Sequence, residues 1–173
     1  MEKKIQDRFV YTGFGFPVVL LNVPVGKVRG TWTPLVDYNK LQKCMVEALA
    51  YKPVRLTGHE IHFIRTYFKM TLVDFGDRFS VSHPAVIKWE NAGDEPTAMN
   101  WVVEKDIRIF ILDCLSSKPI AIVKLYRDLQ REAERGPKPI EMKHTEKNHQ
   151  QFWMAAGENS STRASREHAR VGN

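Results

Sequence analysis

Between Lys69 and Asn91 the chain groups side chains that could contact a polyanion or a base edge. His83 and Lys88 can donate hydrogen bonds to base acceptors or phosphate oxygens, and Ile87 can meet a thymine methyl group. Pro84 has no N–H, so it can contribute only apolar contact or shape. Thr71, Ser82 and Asn91 are short hydrogen-bonding residues suited to phosphate oxygens, and Lys69 and Arg78 supply positive charge. A solvated helix face carries the same residue types, so spacing must separate a contact surface from an ordinary one.

The spacing predicts three short helices. Thr57 and Glu60 have the separation of a capping box at the start of the first, and Ile61, Ile64 and Phe68 fall on one apolar face. Thr71 caps the second, with Asp74 in its first turn and Phe75 and Phe79 inward. Ser82 caps the third, with Pro84 in the first turn, where a missing N–H costs little. Turning Val86 and Trp89 inward leaves His83, Pro84, Ile87 and Lys88 on the outer side. The connection Phe79-Ser80-Val81-Ser82 has the layout of a helix-turn-helix, and the helix over 82–91 is then the recognition helix. Helix N-termini capped by Thr71 and Ser82 add backbone donors for phosphate.

This stretch resembles the helix-turn-helix of the Xre, or phage-repressor-like, family, whose pattern runs S-Q-x-x-L-A-x-x-L-G-V-S-x-x-T-V-x-x-W-E-x-G. Thr71 stands at the Ser, Phe75 and Phe79 at the two Leu, Val81-Ser82 at V-S, Val86 at the aliphatic position and Trp89-Glu90 at W-E. Leu72 replaces the Gln, which removes one backbone clamp. Gly76 replaces the Ala, Ala85 the Thr, and Ala92 the final Gly. Ser80 replaces the turn Gly, a residue less suited to positive φ. Upstream, Tyr11-Thr12-Gly13-Phe14-Gly15, Val18–Asn22, Lys52-Pro53 and Leu56–Glu60 resemble MqsA-type antitoxins and their Xre relatives. MqsA itself holds zinc on four cysteines; Cys44 and Cys114 cannot supply that site. The resemblance implies a lambda-repressor-like helix-turn-helix and a sequence-specific transcriptional regulator, a repressor, that needs no cofactor. It implies double-stranded DNA and a second copy of the chain as partners. The alternative is an antitoxin-type interaction module that neutralises a toxin and regulates its own operon.

Other chemistry is thin. His59-Glu60-Ile61-His62 has histidines at i and i+3 where the zinc protease motif needs i and i+4. Gly13-Phe14-Gly15 lacks the third glycine and following helix of a dinucleotide loop. No nucleophile–base set can be singled out, so no enzyme is expected. The chain has 173 residues, 43% hydrophobic and 27% charged, with a formal net charge of +6. That balance is compatible with an anionic partner. Its two cysteines make no disulfide framework. The start, MEKKIQDRF, is charged without an apolar run behind it, and no apolar run is long enough for a bilayer, which gives the expectation of a cytoplasmic protein with no membrane partner.

Phe9–Thr12, Pro17–Val23 and Val28–Trp32 read as strands of a small meander, with turns at Gly13–Gly15 and Pro24–Gly26. Asp37 caps a helix over Tyr38–Tyr51. A loop at Asn91–Pro96 precedes helices over Asn100–Leu115 and Ile120–Glu134. The expected class is mainly α with a small N-terminal antiparallel β element. Its expected divisions are a β/α domain over 1–54, the helix-turn-helix and dimerisation domain over 55–135, and a flexible polar tail over 136–173. Val103, Ile107, Phe110, Ile111, Ile120, Val123 and Tyr126 are more apolar surface than a three-helix core needs, which assigns the dimer contact to those two helices.

Overall fold

The aliphatic run from Val18 to Val28 forms one long strand, β2 (Val18–Val28), and the sheet is built on it. Along one edge it pairs antiparallel with β1 (Lys3–Tyr11). Along the other edge it changes partner. Val18–Leu21 pair parallel with β4 (Ile140–Lys147), whereas Val25–Val28 pair antiparallel with β3 (Thr31–Pro34). The handover falls at Asn22, which is left-handed at φ 54, and at Pro24, which has no ladder N–H to give. One left-handed residue shifts the in–out alternation by one. Val18 and Leu20 before it, and Val23 and Val25 after it, therefore all bury in the same cluster. β5 (Gln150–Ala155) pairs antiparallel with β4, giving the order β1-β2-β4-β5 with β3 beside β2. This computed structural model describes residues 2–115, 119–129, 140–147 and 150–155.

The helices fill the long connection between β3 and β4. They are α1 (Tyr38–Ala50), α2 (Gly58–Tyr67), α3 (Leu72–Arg78), α4 (His83–Glu90), α5 (Trp101–Leu115) and α6 (Pro119–Asp128). Asp37 caps α1 by accepting from the N–H groups of Asn39 and Lys40, as expected. Leu41, Met45, Val46 and Leu49 form its buried face. Asn100 precedes α5 and accepts from Val102 N at 2.8 Å.

The sheet overturns the expected fold class. It is mixed, with a parallel β2–β4 pair, and larger than a small N-terminal antiparallel element; an architecture of this kind is not lambda-repressor-like. The reason lies in residues 140–155, which composition assigned to a flexible tail. Ile140, Met142 and His144 alternate with Glu141 and Lys143, the period-two signal of a half-buried strand, and Met142 is buried in the core. The rest of the expected tail lies outside the described residues. The expected turn at Pro24–Gly26 is inside β2. The actual turn is Arg29-Gly30, where φ of 49 and 86 give the two left-handed residues of a tight hairpin.

The core bears on two further expectations. Leu20, Leu49, Ile64, Val86 and Ile111 belong to one hydrophobic cluster, which extends across the expected division at residue 54. Ile107, Phe110 and Ile111 also lie inside that cluster and are not available as a dimer surface. Among the described residues, the large apolar side chains exposed on these helices are Val102, Val123 and Tyr126; the Ile120 side chain lies outside them. Among the described residues no helix is long and apolar enough to cross a membrane.

Candidate nucleic-acid interface

The three short helices form where local chemistry requires them. Thr57 Oγ1 accepts from Glu60 N while Thr57 N donates to Glu60 Oε2 at 2.9 Å, a complete capping box on α2. Thr71 and Asp74 repeat it on α3, at 3.0 Å from Thr71 N to Asp74 Oδ2 and 3.1 Å from Asp74 N to Thr71 Oγ1. Thr71 Oγ1 also donates to the same carboxylate at 2.7 Å. Hydrogen bonds from Thr71 hold the Asp74 carboxyl below the usual carboxylate range. The Thr71 hydroxyl is therefore engaged inside the protein. Ser82 stands at the N-cap position of α4 but makes no side-chain capping bond, contrary to expectation.

Both turns of the unit use the same device. Phe68 ends α2, Lys69 takes φ 56, and Met70 N reaches back to Arg65 O at 3.1 Å while Lys69 N bonds Thr66 O at 3.0 Å. Phe79 ends α3, Ser80 takes φ 55, and Val81 N reaches Gly76 O at 2.9 Å while Ser80 N bonds Asp77 O at 3.3 Å. These are two Schellman motifs, each with a non-glycine residue in the position that glycine prefers. The second folds the chain back so closely that a Cβ on Gly76 would lie 2.7 Å from Val81 O.

α4 is oriented by both its faces. Val86 and Trp89 are buried, while His83, Pro84, Ile87 and Lys88 are exposed, as the spacing predicts. Burying an aliphatic side chain such as Val86 contributes about 1.5–3 kcal/mol. A polar clamp fixes the C-terminal end. Glu90 Oε1 accepts from Arg65 Nε at 2.6 Å, and Glu90 Oε2 accepts from Arg65 Nη2 at 3.0 Å. His62 Nδ1 lies 2.9 Å from Glu90 Oε2. Arg65 Nη1 also donates to Met70 O at 2.9 Å, so one guanidinium ties α4 to α2 and to the turn before α3. Burial pushes the Glu90 carboxyl up, but the hydrogen bonds and charges of Arg65 and His62 outweigh it and hold the group below its ordinary value. Gly58 allows the close contact between the start of α2 and the end of α4: a Cβ there would meet Trp89 O and Gly93 N at 2.5 Å.

Beneath this unit lies a buried charge network. Lys52 Nζ bonds Glu60 at 2.7 and 2.8 Å. Glu104 accepts from Arg55 Nε at 2.5 Å, Leu56 N at 3.0 Å and Arg108 Nη2 at 2.9 Å. Arg108 also donates to the carbonyls of Lys52 and Val54. Burial pulls the Arg108 guanidinium down from its ordinary range, and Glu104 works against that. The network fastens the segment leading into α2 onto α5.

All of the sequence-predicted contact residues are exposed, and they do not play equal parts. Arg78 is packed, with its guanidinium 4.9 Å from the Phe110 ring and 5.3 Å from Phe79. Lys69 projects from the turn before α3, and Asn91 closes α4, its N–H bonding Ile87 O at 3.0 Å. Sequence reasoning missed Arg65, Arg55, Glu104 and Arg108, because a charged side chain is ordinarily a solvated one. The Glu of the W-E pair was the available signal for a clamp; nothing in the sequence named its partner. In the His59–His62 stretch, His59 Nδ1 lies 3.0 Å from Asp94 Oδ1, His62 faces Glu90, and the Glu60 carboxylate is taken by Lys52. Among the described residues no three His, Cys, Asp or Glu side chains are grouped as metal ligands.

No protein-family model, curated protein or solved structure matches the chain.

Proposed function

We propose that this protein is a sequence-specific DNA-binding transcriptional regulator, a repressor, that lays α4 in the major groove. The observation that carries the reading is the two-sidedness of α4: Val86 and Trp89 are buried, His83, Ile87 and Lys88 face outward, and Arg65 and Glu90 hold the helix end. His83 and Lys88 donate to base acceptors, and Ile87 meets a thymine methyl. The Ser82 hydroxyl, which makes no capping bond, and the exposed Lys69 ammonium suit the flanking phosphates. The net charge of +6 favours the same ligand. The likeness of residues 71–90 to the Xre pattern supports it as well, for the helix-turn-helix alone. A second copy of the chain matches operator symmetry, with Val102, Val123 and Tyr126 as the exposed apolar residues for that contact. The protein acts in the cytoplasm, on DNA, without a cofactor.

Selection from a random duplex pool tests this. The protein should enrich a defined motif and bind it at least tenfold more tightly than scrambled duplex, with affinity falling steeply as salt rises. Enrichment of no motif refutes the reading.

A further inference from the structure

The helix-turn-helix accounts for only part of the basic surface. At the end of the sheet that carries the β2–β3 turn, Lys4 on β1, Lys27 on β2 and Arg29 in the turn are all exposed. Lys4 pairs in register with Val25, and Lys27 with Trp32, so the pairing sets Lys4, Lys27 and Trp32 on one face of the sheet. Trp32 of β3 is the focus. Lys4 Nζ stands 4.2 Å from the centroid of its ring and Lys27 Nζ stands 6.0 Å from it. Two ammonium groups from different strands thus converge on one indole in spite of their mutual repulsion. The acid among them is Glu2, 3.7 Å from Lys27, with both side chains largely exposed, a pairing that contributes little. Arg29, exposed in the turn between β2 and β3, adds to the positive charge at this hairpin end.

We propose that this hairpin end is a second, sequence-independent binding surface for the phosphates of duplex DNA. It rests on the reading of α4 as the base-contacting helix, and divides the work with it: α4 discriminates, the hairpin adds affinity. Phosphate is the chemistry recognised. The ammonium groups of Lys4 and Lys27 stand over the indole before the ligand arrives. Less side-chain freedom is then given up on binding than at an unsupported lysine. Duplex DNA is the favoured source of phosphate because the same chain carries a helix suited to its major groove.

The test compares the full chain with a Lys4→Gln, Lys27→Gln, Arg29→Gln variant, after thermal melts establish that both fold alike. Fluorescence anisotropy measures binding to the selected duplex and to random duplex across a salt series. Every phosphate left without its cation lowers the slope of log affinity against log salt by about 0.9, so the variant should be shallower by about 2–3. Its affinity should fall about tenfold or more for both duplexes, with the ratio between them kept. An unchanged slope overturns the proposal, whatever α4 does. A slope that falls while neither protein prefers any sequence supports the hairpin surface and removes the α4 reading; a kept preference with an unmoved slope does the reverse. Binding of neither duplex removes both. Displacement of duplex by inorganic phosphate at matched ionic strength overturns the proposal in favour of a free anion. Tighter binding to anionic phospholipid vesicles than to duplex, abolished in the variant, overturns it in favour of a membrane surface.

Discussion

Replacing Glu90 by Gln isolates the clamp that orients α4. Gln keeps the shape and one acceptor oxygen but removes the charge opposite Arg65. The two side chains are 12% and 14% exposed, so the pair lies between an exposed ion pair and a buried one. Exposed pairs contribute about 0–1 kcal/mol, and breaking a fully buried pair costs about 3–5 kcal/mol. At this depth, with two short hydrogen bonds to one guanidinium, the loss should be about 2 kcal/mol. For a chain of this length that corresponds to a fall of about 4–8 °C in melting temperature. The sign with pH follows from the direction of the shift. The Glu90 carboxyl is held below its ordinary value, so its contribution is complete above the unfolded pKa, about 4.3, and is lost as pH falls through the folded value. Thermal melts followed by circular dichroism should therefore show a gap at pH 7 that narrows below about pH 4.3. A double Arg65→Met, Glu90→Leu variant should recover part of the loss, since it leaves neither charge of the pair without its partner but gives up the Arg65 bond to Met70 O. Equal melting temperatures at pH 7, or a gap that persists unchanged in acid, refute the reasoning.

Three further substitutions test the turns and the base of the unit. Ser80→Gly should stabilise the fold by about 0.5–1 kcal/mol, because Ser80 occupies a left-handed conformation that costs an L residue more than glycine; urea midpoints measure it. Gly76→Ala should destabilise by about 1–3 kcal/mol in the same assay, since its Cβ would lie 2.7 Å from Val81 O and the backbone would have to move. Glu104→Gln should cost about 3–5 kcal/mol, because it leaves Arg55 and Arg108 as buried charges without their carboxylate; an unchanged midpoint contradicts the network.

What the sequence disclosed follows the range of the forces involved. The three short helices were legible because their signals are local: Thr57 and Glu60, Thr71 and Asp74, and the inward Val86 and Trp89 all act within a turn or two. The helix α1 was legible for the same reason, from Asp37 and the spacing of its apolar residues. The sheet was not, because the parallel pairing of Val18–Leu21 with Ile140–Lys143 joins segments that lie on either side of all the helices in sequence. Alternation over Ile140, Met142 and His144 was present but masked by the polar composition around it. The apolar stripe of α5 outnumbers the needs of a three-helix core and so pointed to an interface; α1 packs on α5, and Phe110 stacks against Phe68 and Phe79, which periodicity does not report. At the site, exposure and direction were legible, but Thr71 proved to be engaged with Asp74, Arg78 to be stacked on Phe110, and Ser82 to leave its cap unmade. Each depends on a neighbour that periodicity does not report.

The proposed role of α4 is to read bases. Its most direct test is to measure His83→Ala and Lys88→Ala against a panel of single-base changes in the selected duplex. Each variant should lose discrimination at one or two positions per half-site, about 1–3 kcal/mol for each good contact, and keep it elsewhere. If both lose affinity uniformly across the panel, they bind phosphates and α4 is not the reading helix.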